Sequence, residues 1–121
     1  MPDVKYDPEK AIDVRMDFDS PHVVTYWLWS RTAGDAWKLL ATGTDEDAVT
    51  NTGHQHSVGP LEANSKIRIR AMFSGNPKTT YRASVVLRQG RRKIHADEWS
   101  GQTNANGVAL EQDDLKLVEP A

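Results

Sequence analysis

Residues 66–73 read Lys-Ile-Arg-Ile-Arg-Ala-Met-Phe. Ile67, Ile69, Ala71 and Phe73 share one parity, and Lys66, Arg68 and Arg70 share the other. A period of two is the signature of a strand with one face in the core and one in water. The run ends at Ser74-Gly75-Asn76-Pro77, a turn sequence. Beyond the turn, residues 79–89 repeat the pattern, with Tyr81, Ala83, Val85 and Leu87 on one side. Gln89-Gly90-Arg91 turns the chain again, and 92–99 pairs back as a hairpin.

The same reading extends toward both ends. Residues 10–18 alternate, with Ile12, Val14, Met16 and Phe18 opposite Asp13, Arg15 and Asp17. Residues 22–31 (HVVTYWLWSR) are β-branched and aromatic on both faces, as in a central strand. Ala33-Gly34-Asp35 turns, and 37–44 returns as the second arm of a hairpin. Residues 45–53 are a polar loop, 54–58 a short strand, 100–107 a loop, and 108–118 a last strand or two. Segments 1–9 and 119–121 are expected to fray. Seven to nine strands at spacings of about 8–12 residues predict an all-β antiparallel sandwich in one domain spanning 1–121.

Composition limits the alternatives. The chain has 121 residues, long enough to bury roughly two-thirds of its unfolded surface in one core. No apolar run approaches the roughly 18 residues of a membrane span. The first residues carry neither the basic nor the apolar region of a signal peptide, so none is expected here, and the compartment is left open. The absence of cysteine excludes disulfides, thiol nucleophiles, zinc fingers and iron–sulfur sites.

The stretch Val58-Gly59-Pro60-Leu61-Glu62-Ala63-Asn64-Ser65-Lys66-Ile67-Arg68-Ile69-Arg70 resembles part of the fibronectin type III pattern. There a strand meets a leucine-bearing turn and then a strand of alternating apolar and basic residues. The pair 22–44, with Trp37 opening the return strand, suits the middle of such a sandwich. The sequence departs from the family at Ile67, where a tyrosine is usual, and in about 30 residues after position 90. The resemblance implies an immunoglobulin- or fibronectin type III-like architecture with an extra C-terminal hairpin. Folds of this class most often serve adhesion, recognition or assembly.

Charge is segregated along the chain. Residues 1–62 hold 11 acids and 5 bases, 63–96 hold no acid and 9 bases, and 97–121 hold 6 acids and 1 base. Strand parity puts Lys66, Arg68 and Arg70 on one outward face and gives Arg82 and Arg88 a common side of the next strand. If these strands pair, the five residues form a single basic face. Three roles compete for it: a solvated face paired with acids such as Asp13, Asp17 or Asp97, self-association with an acidic face of another copy, and binding of an anionic ligand. Against nucleic acid stand a pI of about 6.0 and a lack of aromatics between the arginines, apart from Phe73 and Tyr81, which are assigned to the core.

Trp27 and Trp29 share one face of 22–31, Tyr26 and Leu28 the other, and only one pair can enter the core. The outward pair is covered by the 91–118 segment, buried in an oligomer, or left as a stacking platform. Trp37 and Trp99 sit at strand ends, as core lids do. His54 and His56 project to one side of a strand, but nothing in the sequence brings a third metal ligand to them. Asp45-Glu46-Asp47 lacks the glycine and alternating oxygens of a calcium loop. There is no G-x-S-x-G elbow, no G-x-G-x-x-G and no phosphate-binding lysine loop. The expectation is therefore a non-catalytic interaction or assembly protein without metal or cofactor. Lys66, Arg68, Arg70, Arg82 and Arg88 would supply complementarity, and Trp27 and Trp29 buried area, toward a protein partner or a second copy. The alternative is a carbohydrate- or polyanion-binding module.

Overall fold

A computed structural model describes residues 1–32, 34–46 and 53–119. Strands β1 (Asp3–Lys5), β2 (Ile12–Asp19), β3 (Val23–Arg31), β4 (Lys38–Asp45), β5 (Gly53–Val58), β6 (Lys66–Ser74), β7 (Thr80–Gln89), β8 (Arg92–Gln102) and β9 (Val108–Val118) form two packed sheets. One has the order β1-β9-β6-β3-β4 and the other β5-β2-β7-β8. All pairings are antiparallel except β1 with β9. There is no helix among the described residues. Asp47, the last residue of the acidic triplet, lies outside them.

The inner faces are those that the alternation predicts. Ile12, Val14, Met16 and Phe18 of β2 and Ile67, Ile69, Ala71 and Phe73 of β6 are buried to within 1%. Tyr81, Ala83, Val85 and Leu87 of β7 and Tyr26 and Leu28 of β3 join them. Phe73 stacks on Tyr81 at 4.3 Å between centroids, and Phe18 meets Phe73 edge-on at 6.0 Å. Side chains from both inner faces interdigitate in this way across a sandwich core.

The condition for a single basic face, that β6 and β7 pair side by side, is not met. They belong to opposite sheets and meet across the core, as the Phe73–Tyr81 stack requires. Their connection is a sheet crossing rather than a hairpin turn. The buried Thr103 hydroxyl donates to the Asn76 carbonyl (2.7 Å) and accepts from the Thr79 amide (3.0 Å). Gly75 N–H reaches Gly107 C=O at 2.9 Å. Gly107 has φ +76°, and a β-carbon there would run into the Gly75 carbonyl, so this double crossing needs glycine.

Two further expectations change. The N-terminal segment is strand β1, with Val4 2% and Tyr6 0% exposed, because their side chains complete the core beside β9. The chain after residue 90 forms no C-terminal hairpin of its own: β8 pairs back on β7, and β9 returns to the five-stranded sheet. Ile67 is in the core, 1% exposed, and a tyrosine from far away in the chain anchors the turn before it. Tyr6 donates its hydroxyl to the Leu61 carbonyl at 2.7 Å, pinning the turn before β6.

Candidate interaction surface

The outer face of the five-stranded sheet gathers most of the unusual surface of the molecule. Residues of β3, β6 and β9 face each other in cross-strand rows. Val23, Ser74 and Val108 form the first row, and Thr25, Met72 and Leu110 the second. Trp27, Arg70 and Gln112 form the third, and Trp29, Arg68 and Asp114 the fourth. Arg31, Lys66 and Lys116 end the series. The face thus grades from an apolar end through an aromatic and guanidinium centre to a cationic end. Leu39 of β4 lies beside Trp29, and β1 adds Asp3 beside Lys116.

The centre is held by specific contacts. Arg68 donates two hydrogen bonds to Asp114 (2.8 and 3.1 Å) and sets its guanidinium carbon 4.2 Å from the Trp37 ring centroid. This partnership holds the Asp114 carboxyl below the usual range. Arg70 bonds the Gln112 carbonyl at 2.7 Å and lies 5.5 Å over Trp29. Trp27 and Trp29 are nearly parallel, 11° apart with centroids 6.2 Å apart. Guanidinium over indole is favourable, and more so when partly desolvated. Trp27, Trp29 and Trp37 are all half-buried. Apart from Met1, the exposed large apolar residues of the described chain are Val23, Leu39 and Leu110, and all three belong to this face.

Arg82 and Arg88 lie elsewhere. They project from the outer face of the four-stranded sheet, so the five-residue basic face does not form. Alternation assigns each side chain to inside or outside but does not say which sheet its strand joins. Opposite Arg82 and Arg88 stand Asp19 and Asp13 of β2, and Arg15 beside them bonds Asp17 at 2.9 Å. That face mixes both signs. Trp37 is no core lid; it packs on Arg68 outside the sheet. Trp99 is in the core, 4% exposed. The segment after residue 90 leaves Trp27 and Trp29 uncovered, because β9 joins their own sheet and β8 the other.

The histidine pair is committed to hydrogen bonds. His54 Nε2 is 2.9 Å from Asp45, and His56 Nε2 is 2.7 Å from the Tyr26 hydroxyl. No group of three metal-binding side chains occurs among the described residues.

Sequence reasoning missed a cleft of about 300 Å³ between β8 and β9, lined in part by His95, Asp97 and Asp113. Trp99 Nε1 donates to Asp113 Oδ1 at 3.2 Å, while Oδ2 is buried without a donor. Burial, and then the hydrogen bond to Asp97, push the Asp113 carboxyl up to about 6. Below that value a proton held by Asp113 can be donated toward Asp97. Sequence gave no hint of this pair, because 97 and 113 meet only through the β8–β9 crossing.

No family model, curated protein or solved structure matches the chain.

Proposed function

We propose that this protein is a non-catalytic interaction module whose contact surface is the outer face of the five-stranded sheet. One observation carries the reading: three half-buried tryptophans, two arginines and the exposed Leu39 and Leu110 gather on one side of the sandwich. Tryptophan, methionine and arginine are the residues enriched in protein contact surfaces, and tryptophan and arginine dominate their hot spots. Trp27 and Trp29 supply buried area, Arg70 supplies a charge that is in no ion pair among the described residues, and Arg68, tied to Asp114, is preorganised. Lys66 extends the positive field toward the cationic end. Arg82 and Arg88 have no part in this surface.

The finer fold reading is an immunoglobulin- or fibronectin type III-like sandwich. In support, β9-β6-β3-β4 follows the G-F-C-C′ order, and β2 beside β5 follows the B–E pair. The β7–β8 hairpin would then be an insertion between the last two strands of that plan.

Molar mass by light scattering across concentration tests the self-associating form. We expect a defined oligomer, reduced to monomer by Arg70→Glu and by Trp29→Ala with folding intact. A strict monomer at every concentration and salt overturns self-assembly. A second reading, a carbohydrate or polyanion module, is favoured by the alternation of indole and guanidinium across strands. It predicts a monomer whose tryptophan fluorescence shifts on titration with acidic polysaccharide, with affinity falling as salt rises.

A further inference from the structure

At the cationic end of the same sheet, Arg31, Lys66 and Lys116 stand directly opposite one another on β3, β6 and β9. Side chains at such positions have their β-carbons about 5 Å apart, and like charges so placed destabilise a sheet. All three residues are half-buried, which is uncommon for lysine. None is in an ion pair among the described residues, and Asp3, the other neighbour of Lys116, forms no ion pair with it. The three line a concavity of about 280 Å³ together with Gly34 and Asn64, and no carboxylate belongs to its described lining. Asn64, at φ +66°, is held in place by its backbone N–H, which donates to the Leu117 carbonyl (2.9 Å).

Arg31 also lies 6.0 Å from the Trp37 ring centroid, a contact that leaves its charge unneutralised. Three cations without a carboxylate partner among the described residues, in register around a concave surface, are an arrangement that an anion would neutralise. We propose that Arg31, Lys66 and Lys116 form a binding site for a tetrahedral oxyanion, a sulfate or phosphate group either free or as an ester. The guanidinium offers a planar fork of donors, the two ammonium groups can take the remaining oxygens, and the Asn64 side-chain amide can donate beside them. This goes beyond the contact face, because the site binds a small ion whether or not a macromolecular partner docks on the tryptophans. It also gives that partner a chemistry, a sulfate or phosphate placed next to Trp37.

The test uses the full chain in dilute buffer free of phosphate. Inorganic sulfate and inorganic phosphate are titrated in the millimolar range against sodium chloride at equal ionic strength, following melting temperature and backbone amide shifts. We expect both oxyanions to raise the melting temperature more than chloride and to shift the amides of Gly34, Asn64, Lys66 and Lys116. Lys66→Gln should weaken binding about tenfold, the scale of one charge-assisted hydrogen bond. It should also melt higher than wild type in dilute buffer, since it relieves the repulsion. Arg92→Gln, at the start of β8 in the other sheet, should behave as wild type. O-phosphoserine and a sulfated disaccharide extend the titration, and tighter binding of one ester than of its free ion identifies the source of the group. Equal responses to chloride and both oxyanions, or a response unchanged in Lys66→Gln, would overturn the site. Because these probes are small, that failure is distinct from a strict monomer in light scattering, which bears only on the tryptophan face.

Discussion

Two kinds of buried titratable group pull this molecule in opposite directions as pH changes. Asp113 holds its proton up to about pH 6 in the fold, whereas an unfolded aspartate releases it near 3.8. Between those values the folded state carries more protons, so this residue's contribution to stability falls as pH rises. His22 and His95 do the reverse. Burial lowers both below the ordinary histidine value, and His22 is 2% exposed with Nδ1 engaged by Ser20. An unfolded histidine takes up a proton that the folded one refuses, so stability is lost as pH drops below about 6.5. Asp113→Asn separates the two effects. The amide can still accept from Trp99 and can donate to Asp97, without a charge. We expect a melting temperature roughly 3 °C higher at pH 7.5, a modest gain because water screens the cleft. Between pH 7.5 and 5 the variant should lose stability more steeply than wild type, since only the histidine term remains. A parallel pH profile for the two proteins would show that Asp113 is ionised in the fold.

At the scale of strands, one device appears at two corners of the sandwich. Tyr26 on β3 lies opposite Gly43 on edge strand β4, and Tyr81 on β7 lies opposite Gly101 on edge strand β8. A β-carbon at Gly43 would sit 2.5–2.9 Å from Tyr26 ring and hydroxyl atoms, and one at Gly101 2.8 Å from the Tyr81 hydroxyl. In each case the ring covers the bare backbone of its glycine. The hydroxyls then find partners, His56 for Tyr26 and Glu111 for Tyr81, each at 2.7 Å. Gly43→Ala and Gly101→Ala should each cost about 2 kcal/mol by overpacking, read as a shift in denaturant midpoint. Gly34 and Gly90 have nothing within 4 Å of a β-carbon, so any cost of alanine there comes from their positive φ alone.

These strands also mark how far the sequence could be read. Inside and outside were legible for β2, β6 and β7, because polar and apolar residues alternate with the pleat. Sheet membership was not. A short Gly-Asn-Pro turn looks alike whether it closes a hairpin or crosses a sandwich, and what distinguishes it here is Thr103, almost thirty residues later. The tryptophan and arginine face stayed hidden for a related reason. Its aromatics and bases lie on β3, the segment before β4, and β6, so they interleave in space while standing apart in the chain. The oxyanion site is hidden more deeply, since it needs the registers of three strands at once.

On the scale of the whole molecule, the near-neutral total charge conceals an uneven distribution. The outer face of the five-stranded sheet carries Lys5, Arg31, Lys66, Arg68, Arg70 and Lys116 against Asp3 and Asp114, while the opposite face mixes both signs. The chain ends complete this face. Val4 and Tyr6 are buried, and Lys116 N–H bonds the Pro2 carbonyl at 2.9 Å. Removing residues 1–6 should therefore do more than trim a tail. We expect a melting temperature lower by about 10 °C or more, since two buried side chains are each worth about 2 kcal/mol. A variant that melts within 2–3 °C of wild type, a small shift on the same scale, would mean that β1 docks only loosely.

The parallel pairing of β1 with β9 has a mechanical consequence. Tension applied at the two ends of this chain pulls β1 and β9 past each other along their length. The cross-strand bonds, including Lys116 to Pro2 and Tyr6 to Val118, are then loaded together in shear rather than one after another as in an unzipping hairpin. A sandwich tethered in this way resists stretching up to a threshold force and then yields abruptly. Tyr6, which binds β9 through its amide and the β5–β6 turn through its hydroxyl, sits where that load would enter the core.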